Sequence, residues 1–345
     1  MKGRRLRIGL IAPLDRTIPP RGHAGTERIV SALAEGLTSR GHQVTLFASG
    51  DSRTTAKLVH SWPRQLKDES PVMRELATTK QLLDILATRD IDVWSNHLYY
   101  GAMALAPVLR APMLTTIHGS RSLTKESVYA AASKYSHFVS ISRSQREQFG
   151  SVRFAGTVYN GVDTRRFSLG KGDGGYYAWI GWVSEKKGTA EAARLARRHG
   201  LRLKIAGLVT EENRGYFEKQ VKPFLSSKIE FVGEIDGRKK VSFYRDAIAL
   251  LNPIKWEEPF GLVAAEAMAC GTPVLTVPRG AMPELVSHGT TGFLAKTPAG
   301  LGNYLSRSAQ LDRTAIRSEA VRRFSETRMV DDYERLFRRA RAKSK

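Results

Sequence analysis

Short apolar runs typical of β-strands alternate with amphipathic runs typical of helices along the whole chain. The run LRIGLIAP is followed by TERIVSALAEGLTSRG, which places Ile29, Leu33 and Leu37 at helical spacing before Gly41. The alternation continues through HQVTLFAS, TTKQLLDILATRD, IDVWSNHL, APMLTTIHG, SHFVSIS and SRSQREQFG. Strands that alternate with helices predict a parallel sheet with right-handed crossovers.

A glycine-rich segment, SLGKGDGGY at residues 168–176, interrupts the alternation. The pattern resumes with YYAWIGWV, TAEAARLARRHG, LRLKIAG, EENRGYFEKQVKPFL, KIEFVGE, GRKKVSFYRDA, IALLNPI and TTGFLAK. We therefore predict an α/β protein with two doubly wound, Rossmann-like domains, residues 1–168 and 169–325, followed by a C-terminal helix in residues 326–345. Ligands of open parallel sheets bind beyond the carboxyl ends of the strands, so two such domains facing each other would form a cleft.

Composition and charge narrow the class of protein. The 345 residues include a single cysteine, Cys270, which excludes an intramolecular disulfide and fits a reducing compartment. The apolar run at the N-terminus is too short for a signal peptide, and no stretch approaches the length of a membrane span. We predict a cytoplasmic protein, peripheral on the inner leaflet at most.

The net charge of +22 attracts nucleotides, anionic lipid headgroups and nucleic acid without distinguishing them. The C-terminal segment 322–345 is locally rich in charge, with nine basic residues against four acidic ones. Basic residues are not interleaved with aromatic ones as in a nucleic-acid platform, so we predict no specific nucleic-acid partner.

Three loops that follow predicted strands carry candidate ligand-binding residues. Gly22 and Gly25 precede a helix start marked by Thr26, where backbone N–H groups can approach an anion, although an ordinary strand-to-helix turn also uses glycine. His118 closes a strand in TTIHGS, and the alternative to a ligand contact is a hydrogen-bonded structural histidine. Lys187, in GWVSEKKG, could face a phosphate or could be a solvated surface lysine.

The most specific stretch is KWEEPFGLVAAEAMACGTPVL, residues 255–275, which carries two carboxylates in an otherwise apolar run. Glu258 lies at the mouth of a predicted helix and Glu266 more than a turn inside it, roughly 10 Å away at 1.5 Å per residue. That spacing is too wide for the ~5 Å carboxylate pair of a retaining glycosidase. It matches a nucleotide sugar with its ribose at Glu266, its hexose at Glu258 and the diphosphate between them. The alternative is that a salt bridge to an arginine, or a backbone N–H group, satisfies the carboxylates.

The segment EPFGLVAAE resembles the E-x7-E motif of the family-4 retaining glycosyltransferases, which have the GT-B fold. The order of PPRGHAGTE, TTIHG, NGVDTRRF, WVSEKKG, IAG, FVGEI, GTPVL, MPELV and TTGFL extends the resemblance over the whole chain. The resemblance implies two Rossmann-like domains facing across a cleft, with the acceptor on the N-terminal side and the donor on the C-terminal side. It also implies that the last helix crosses back to the first domain.

The resemblance assigns each candidate residue a role in holding a nucleotide sugar. It implies that Glu266 holds the ribose and that His118 contacts the donor sugar. Glu258 would bind a hydroxyl of that sugar, helped by the backbone N–H groups of Phe260, Gly261 and Leu262. Lys187 and Gly25 would contact the diphosphate. The implied reaction moves a hexose, as from UDP-glucose, to the hydroxyl of a sugar, a lipid-linked sugar or a small molecule. It needs no metal and no cofactor, because basic side chains and helix ends neutralise the diphosphate. Retention is ascribed to front-face attack, which needs no protein nucleophile.

Two positions depart from the family pattern. Trp182 stands where the family usually has an arginine, which contacts the diphosphate together with the lysine. Either another base such as Arg121 or Arg143 takes the place of that arginine, or the protein binds its donor more weakly. Ala24 replaces the first glycine of the N-terminal loop. These departures and the high charge support an alternative reading, a non-catalytic protein on a degenerate GT-B scaffold that binds polyanions or an anionic membrane.

The acceptor is the least specified part of the prediction. The loops SNHLYYGAM and SLTKESVYAAASKY of the first domain are the candidate acceptor region. Tyr99 and Tyr100 there could stack on a sugar or belong to the core.

Overall fold

The computed structural model describes residues 4–22, 24–98 and 100–343, and within these the chain forms two compact units. The first unit comprises Met1–Gly161 together with Glu326–Lys345, and the second comprises Val162–Ser325. Each unit is built around its own parallel sheet, which confirms the predicted α/β class with two doubly wound domains.

The first unit contains a seven-stranded sheet in the order β3-β2-β1-β4-β5-β6-β7. Its strands are β1 (Arg7–Ile11), β2 (Gln43–Ser49), β3 (Lys57–Trp62), β4 (Val93–Asn96), β5 (Met113–Ile117), β6 (His137–Ser140) and β7 (Phe154–Thr157). Its helices are α1 (Gly25–Ser39), α2 (Pro71–Ala87), α3 (Leu123–Ala132), α4 (Arg143–Gln148) and, from the end of the chain, α12 (Glu326–Lys343). The central strands are buried on both faces, as expected of a parallel sheet covered by helices.

The second unit contains a six-stranded parallel sheet in the order β10-β9-β8-β11-β12-β13. Its strands are β8 (Tyr177–Trp182), β9 (Leu203–Leu208), β10 (Ile229–Gly233), β11 (Leu250–Asn252), β12 (Val274–Thr276) and β13 (Gly292–Leu294). Its helices are α5 (Thr189–Arg198), α6 (Arg214–Tyr216), α7 (Gly237–Asp246), α8 (Leu262–Ala269), α9 (Met282–Leu285), α10 (Leu305–Ser308) and α11 (Arg313–Phe324). Strand β11 pairs with β8 on one side and β12 on the other, so the loops that follow these strands meet at one edge.

The C-terminal helix α12 packs on α1 within the first unit. Val330 lies so close to Gly36 that an added Cβ would approach its Cγ2 to 2.6 Å. Arg40 pairs with Asp331 at 2.7 Å and with Glu334 at 3.1 Å. Among the described helices, none combines the length and the apolar character that crossing a membrane requires.

Two local features differ from the sequence prediction, and a third was not assigned by it. Strand β3 was not predicted, because it lies at the sheet edge and its mixed burial leaves no apolar alternation. SLTKESVYAAASKY, predicted as a loop, contains helix α3, which Ser122 caps by accepting from the Lys125 N–H. EENRGYFEKQVKPFL, which the alternation places between two strands without assigning it a structure, forms a series of short α, 3₁₀ and π turns between Glu211 and Phe224, with a proline in the last turn.

Candidate active site

Glu258 lies in the loop that leads from β11 into α8, and glycines hold this loop in place. Gly261 precedes α8 with φ +99°, and a Cβ there would come within 2.4 Å of Met282 Cε. Gly280 has φ +57°, and a Cβ there would lie 2.3 Å from both the backbone nitrogen and oxygen of Glu258. The Ala281 N–H also donates to the Glu258 carbonyl at 2.8 Å. The position of the Glu258 backbone is therefore set by close packing from the α9 side.

The Glu258 side chain is buried and accepts from two neighbours. Its Oε2 receives a hydrogen bond from Lys187 Nζ at 2.5 Å and another from Trp256 Nε1 at 3.0 Å. Lys187 Nζ also lies 4.6 Å from the centroid of the Trp256 ring. The three side chains form a compact cluster, in which an ammonium and a carboxylate lie beside the start of α8.

Lys187 is placed by a tight turn between β8 and α5. The turn ends at Gly188, which has φ +70° and whose added Cβ would lie 2.0 Å from the Pro253 carbonyl oxygen. Trp179 Nε1 donates to the Lys187 carbonyl at 3.3 Å. The structure thus brings together the predicted residues Glu258 and Lys187, which are 71 positions apart in the sequence.

Glu266 lies inside α8, is only 4% exposed, and also has protein partners. Lys240 Nζ lies 2.8 Å from its Oε1 and 2.6 Å from its Oε2, and the Tyr244 hydroxyl donates to Oε2 at 3.0 Å. Burial, and then the negative charge of Glu266, raise the pKa of the Tyr244 hydroxyl well above its usual value. Burial and Glu266 likewise raise the pKa of the Cys270 thiol to about 12, so this cysteine is an unreactive core residue.

The two carboxylates do not depend on a ligand for their hydrogen-bond partners, but these partners are lysine, tryptophan and tyrosine side chains rather than the arginine or backbone N–H groups of the alternative prediction. The partners that sequence reasoning missed are Trp256, Lys240 and Tyr244. Lys240 and Tyr244 are four residues apart on α7, a spacing that places them on one face of that helix. The i, i+4 spacing of Lys240 and Tyr244 was the signal from which a shared contact could have been predicted. The sequence does not indicate, however, that these two side chains face α8.

The start of α8 supplies backbone donors next to the Glu258 cluster. The first N–H groups of a helix have no partner within it, and they carry the positive end of the helix dipole. Gly261 and Leu262 occupy this position, and the buried Phe260 ring before them packs edge-on against Phe324 with a centroid distance of 5.8 Å. Phe260, Gly261 and Leu262, which the resemblance assigned to the donor sugar, thus lie at the start of α8.

Trp182 is the last residue of β8, and its side chain is 52% exposed. Of the two arginines predicted to compensate for it, Arg121 donates to the Glu126 carboxylate at 2.5 Å. Arg143 is the first residue of α4. Both belong to the first unit, so within the second unit the cations beside the two carboxylates are Lys187 and Lys240.

In the first unit, Gly25 is the first residue of α1, one position before the predicted helix start. Ala24 precedes it with φ −163°, an extended conformation open to any residue, so alanine at this position costs no backbone strain. Glu27 in the first turn is 8% exposed, and burial raises the pKa of its carboxyl.

His118 follows β5 and forms a pair with His97, which follows the neighbouring strand β4. His118 Nε2 lies 2.8 Å from His97 Nδ1, and His97 Nε2 lies 3.0 Å from Ser95 Oγ. Burial lowers the pKa of His118 to about 4 and that of His97 well below its usual value, so both rings are neutral at neutral pH. Sequence reasoning missed His97, although its place directly after a predicted strand was a usable signal.

The neutral histidine pair predicts a stability loss in acid. Between the ordinary value of 6.5 and about 4, His118 binds a proton in the unfolded chain but not in the folded one. The free energy of unfolding should therefore fall as the pH falls through this window, by up to about 1.4 kcal/mol per pH unit for this residue. Urea unfolding across the window should show a shallower slope for His118→Gln than for wild type. The exposed His60→Gln is the matched control, and an equal slope in all three proteins would contradict the assignment.

Tyr100 and several arginines of the basic C-terminal segment, which the sequence suggested for ligand binding, have partners within the protein. Tyr99 lies outside the described residues, and Tyr100 stacks on Tyr129 with a centroid distance of 5.4 Å. Arginines of the basic C-terminal segment have acidic partners: Arg322 and Arg323 pair with Glu319, Arg328 and Arg335 with Asp332, Arg338 with Glu334, and Arg341 with Asp92.

Over residues 4–22, 24–98 and 100–343, no three His, Cys, Asp or Glu side chains cluster in a way that could hold a metal ion.

Comparison with known proteins identifies the class. The family model described as "Glycosyltransferase Family 4" matches residues 23–166, and the model described as "Glycosyl transferases group 1" matches residues 163–306. An uncharacterized glycosyltransferase of Methanocaldococcus jannaschii is 25% identical over 335 residues, which span 82% of this chain and 84% of the relative. Glycogen synthase of Mycobacterium tuberculosis is 28% identical over 262 residues, which span 68% of this chain but only 62% of the synthase.

Solved structures agree with this class at the level of the fold. The sucrose-phosphate synthase of Thermosynechococcus elongatus has a TM-score of 0.80 at 19% identity, over 98% of this chain and 100% of the synthase. Alr3699/HepE of Anabaena, solved with UDP-glucose, has a TM-score of 0.77 at 15% identity, over 97% and 100% of the two chains. The protein is an enzyme of the glycosyltransferase class with the GT-B fold. The two family models together match residues 23–306 of the chain.

Proposed function

We propose that this glycosyltransferase moves a hexose from a nucleoside-diphosphate sugar to an acceptor hydroxyl, with retention of the anomeric configuration and without a metal. The observation that carries the proposal is the cluster of Glu258, Lys187 and Trp256 at the mouth of α8, with Glu266 buried farther along the same helix. This arrangement lies within the segment that matches the group-1 glycosyltransferase model.

The cluster has the chemistry that a departing diphosphate requires. The bond that breaks joins the anomeric carbon to a diphosphate oxygen, so negative charge develops on that oxygen. The Lys187 ammonium and the N–H groups at the start of α8 are fixed positive groups that can stabilise it. Metal independence is proposed on this basis, and unchanged turnover in the presence of EDTA is its expected result.

Glu258 is the proposed contact of the donor sugar. A carboxylate that accepts from Lys187 and Trp256 is held in one orientation, and its remaining lone pairs can accept from a sugar hydroxyl. Retention would follow from front-face attack, in which the acceptor oxygen bonds the anomeric carbon while the diphosphate leaves from the same face and a diphosphate oxygen takes the acceptor proton. The implied roles of Gly25 and His118, both in the first unit, stay predictions.

UDP is the proposed nucleotide, since the GT-B neighbour Alr3699/HepE was solved with UDP-glucose. A sugar hydroxyl is the proposed acceptor, free or lipid-linked, and the protein is proposed to act in the cytoplasm with or without contact to an anionic membrane. The polyanion-binding alternative is weakened by the acidic partners of the C-terminal arginines, because paired charges contribute little to a basic surface.

A thermal-shift panel tests the nucleotide site. UDP, GDP, ADP and TDP are each added to the wild-type protein, and the melting temperature is recorded. A ligand that binds only the native state raises the melting temperature by mass action. We expect one nucleotide, UDP, to produce a clear rise. The absence of a rise with all four nucleotides would contradict the proposed function and favour the non-catalytic alternative.

Gly280→Ala is expected to lower the rate of nucleotide-sugar turnover by about 100-fold, since a displacement of about 1 Å at a reacting group can cost that much. The new Cβ would collide with the backbone of Glu258 and push the carboxylate out of place. Gly289→Ala is the matched control, because Gly289 also has positive φ, at +80°, but has no atom within 4 Å of its added Cβ. Equal rates for the two variants would contradict the role of Glu258.

Trp182→Arg tests whether the missing arginine limits the enzyme. Trp182 is half exposed at the end of β8, and we expect the wild type to be active without an arginine there. The turnover rate of the variant should then differ from wild type by less than about tenfold, or 1.4 kcal/mol in activation free energy. A much larger acceleration would show that the diphosphate site of the wild type is incomplete.

A further inference from the structure

A chain of hydrogen bonds in the first unit runs from Ser95 through His97 to His118. Ser95 lies in β4 and His97 directly follows that strand, whereas His118 directly follows the neighbouring strand β5. Ser95 Oγ lies 3.0 Å from His97 Nε2, and His97 Nδ1 lies 2.8 Å from His118 Nε2. Ser95 and His97 are completely buried, but His118 is partly exposed. The chain therefore begins in the interior and ends at a ring that reaches solvent.

The protons of this chain can be arranged in only two ways. Both rings are neutral at neutral pH, because burial lowers the pKa of each, and a neutral imidazole donates from one nitrogen and accepts at the other. In the first arrangement the Ser95 hydroxyl donates to His97 Nε2, and His97 Nδ1–H donates to His118 Nε2. In the second arrangement His118 Nε2–H donates to His97 Nδ1, and His97 Nε2–H donates to Ser95 Oγ.

The buried end of the chain favours the first arrangement. Among the described residues, His97 is the one hydrogen-bond partner of Ser95 Oγ. In the second arrangement the Ser95 hydroxyl only accepts, so its own hydrogen is left in the interior without an acceptor, which is unfavourable for a buried donor. In the first arrangement both Ser95 and His97 have partners. His118 then accepts at Nε2 and carries its proton on Nδ1.

Nδ1 of His118 is the end of the chain that a substrate can reach. Within residues 4–22, 24–98 and 100–343, no protein atom forms a hydrogen bond with this nitrogen, and it is not one of the side-chain atoms that are buried without a partner. Nδ1 is therefore accessible to solvent. In the first arrangement it is an N–H donor whose direction is set by the contact of the opposite nitrogen with His97.

We propose that Ser95 and His97 are positioning residues that fix the tautomer of His118, so that His118 Nδ1–H donates to an oxygen atom of the bound sugar substrate. The inference rests on the proposed function, in which His118 is predicted to contact the donor sugar. It deepens that function by giving a role to two residues that lie behind His118. Because Ser95 and His97 are completely buried, they act on the substrate only through His118.

Long-range ¹H–¹⁵N NMR of protein labelled with ¹⁵N-histidine tests the tautomer without a substrate. Protonated and unprotonated ring nitrogens give well-separated ¹⁵N signals, and the signals that disappear in His118→Gln and His97→Asn assign the two rings. We expect both rings of the wild type to carry their proton on Nδ1. Ser95→Ala leaves one nitrogen of His97 unpaired in either arrangement, so this variant should populate both tautomers. A wild-type proton on His118 Nε2, or an unchanged tautomer in Ser95→Ala, would overturn the inference.

Two substitutions of His97 separate its positioning role from its packing. Asparagine keeps a donor in the place of Nδ1, since the amide nitrogen of asparagine and Nδ1 of histidine are both bonded to Cγ. Leucine fills the space but cannot donate to His118. We expect His97→Asn to keep the proton of His118 on Nδ1 and His97→Leu to show both tautomers. The wild-type tautomer in His97→Leu would contradict the role of His97.

Initial rates of nucleoside-diphosphate release test the consequence for the substrate. His97→Leu should lower kcat/KM by about tenfold, the usual effect of losing one neutral hydrogen bond, and His97→Asn should stay within about threefold of wild type. In a His118→Ala background, His97→Leu should cause no further loss, because its effect passes through His118. An equal loss in that background would show that His97 has a structural role alone and would overturn the inference.

The two experiments distinguish failure of this inference from failure of the proposed function. The spectra need no substrate, so a proton on His118 Nε2 overturns the inference even when the enzyme turns over. The absence of turnover by wild type contradicts the proposed function and, with it, the substrate contact of His118, whichever tautomer the spectra show.

Discussion

Replacing Lys187 by methionine is expected to lower nucleotide-sugar turnover by about 100- to 1,000-fold, the usual cost of losing one fixed group that stabilises developing negative charge. Lys187 is the cation held against Glu258 at 2.5 Å, beside the start of α8. Methionine keeps the length of the side chain but removes the ammonium. The measurement is the initial rate of nucleoside-diphosphate release at saturating donor.

Lys186→Met is the matched control for this prediction. Lys186 is the exposed neighbour of Lys187, so the two variants change the net charge equally and one position apart. Only Lys187→Met should lose activity. A similar loss in both variants would mean that net charge rather than position matters, and a retained rate in Lys187→Met would remove this residue from the proposed mechanism.

Glu266→Ala is expected to lower the free energy of unfolding by about 3–5 kcal/mol, the range found when one partner of a buried ion pair is removed. The variant leaves the Lys240 ammonium nearly buried without its carboxylate, and it leaves the Tyr244 hydroxyl without its acceptor. Urea unfolding monitored by circular dichroism gives the difference. The exposed Glu230→Ala on β10 should change stability by less than about 0.5 kcal/mol.

A double variant separates the cost of the buried charge from other effects of the substitution. Lys240→Met together with Glu266→Gln removes both charges while keeping their volumes, and it should recover most of the stability lost in Glu266→Ala. If Glu266→Ala is instead as stable as wild type, the pair is not a buried ion pair in solution. The geometry behind the stability prediction would then be wrong.

The sequence predicted the fold well because the alternation of apolar runs is a local signal. Central strands such as β5 and β12 are buried on both faces and are therefore recognised as continuous apolar runs. The edge strand β3 lacks that signal, since half of its surroundings are solvent. Helix α3 was missed because its exposed leucine and valine positions obscure the helical pattern.

The candidate site was predicted only residue by residue. Glu258, Glu266 and Lys187 could be singled out because each has an unusual chemical character for its local surroundings. Their partners could not be predicted in the same way, because a hydrogen bond such as that from Lys240 to Glu266 joins elements 26 residues apart. Which side chains meet depends on the order of strands in the sheet and on the rotation of each helix about its axis. A local sequence pattern gives information on neither.

Nucleoside-diphosphate release from a panel of nucleotide sugars is the measurement that decides whether the chain transfers sugar from a nucleotide donor. Wild type, Lys187→Met and Lys186→Met are incubated with UDP-, GDP- and ADP-hexoses and mixed sugar acceptors in the presence of EDTA. We expect release from one donor, UDP-hexose, by wild type and Lys186→Met but not by Lys187→Met. No release from any donor, or equal release by all three proteins, would contradict it.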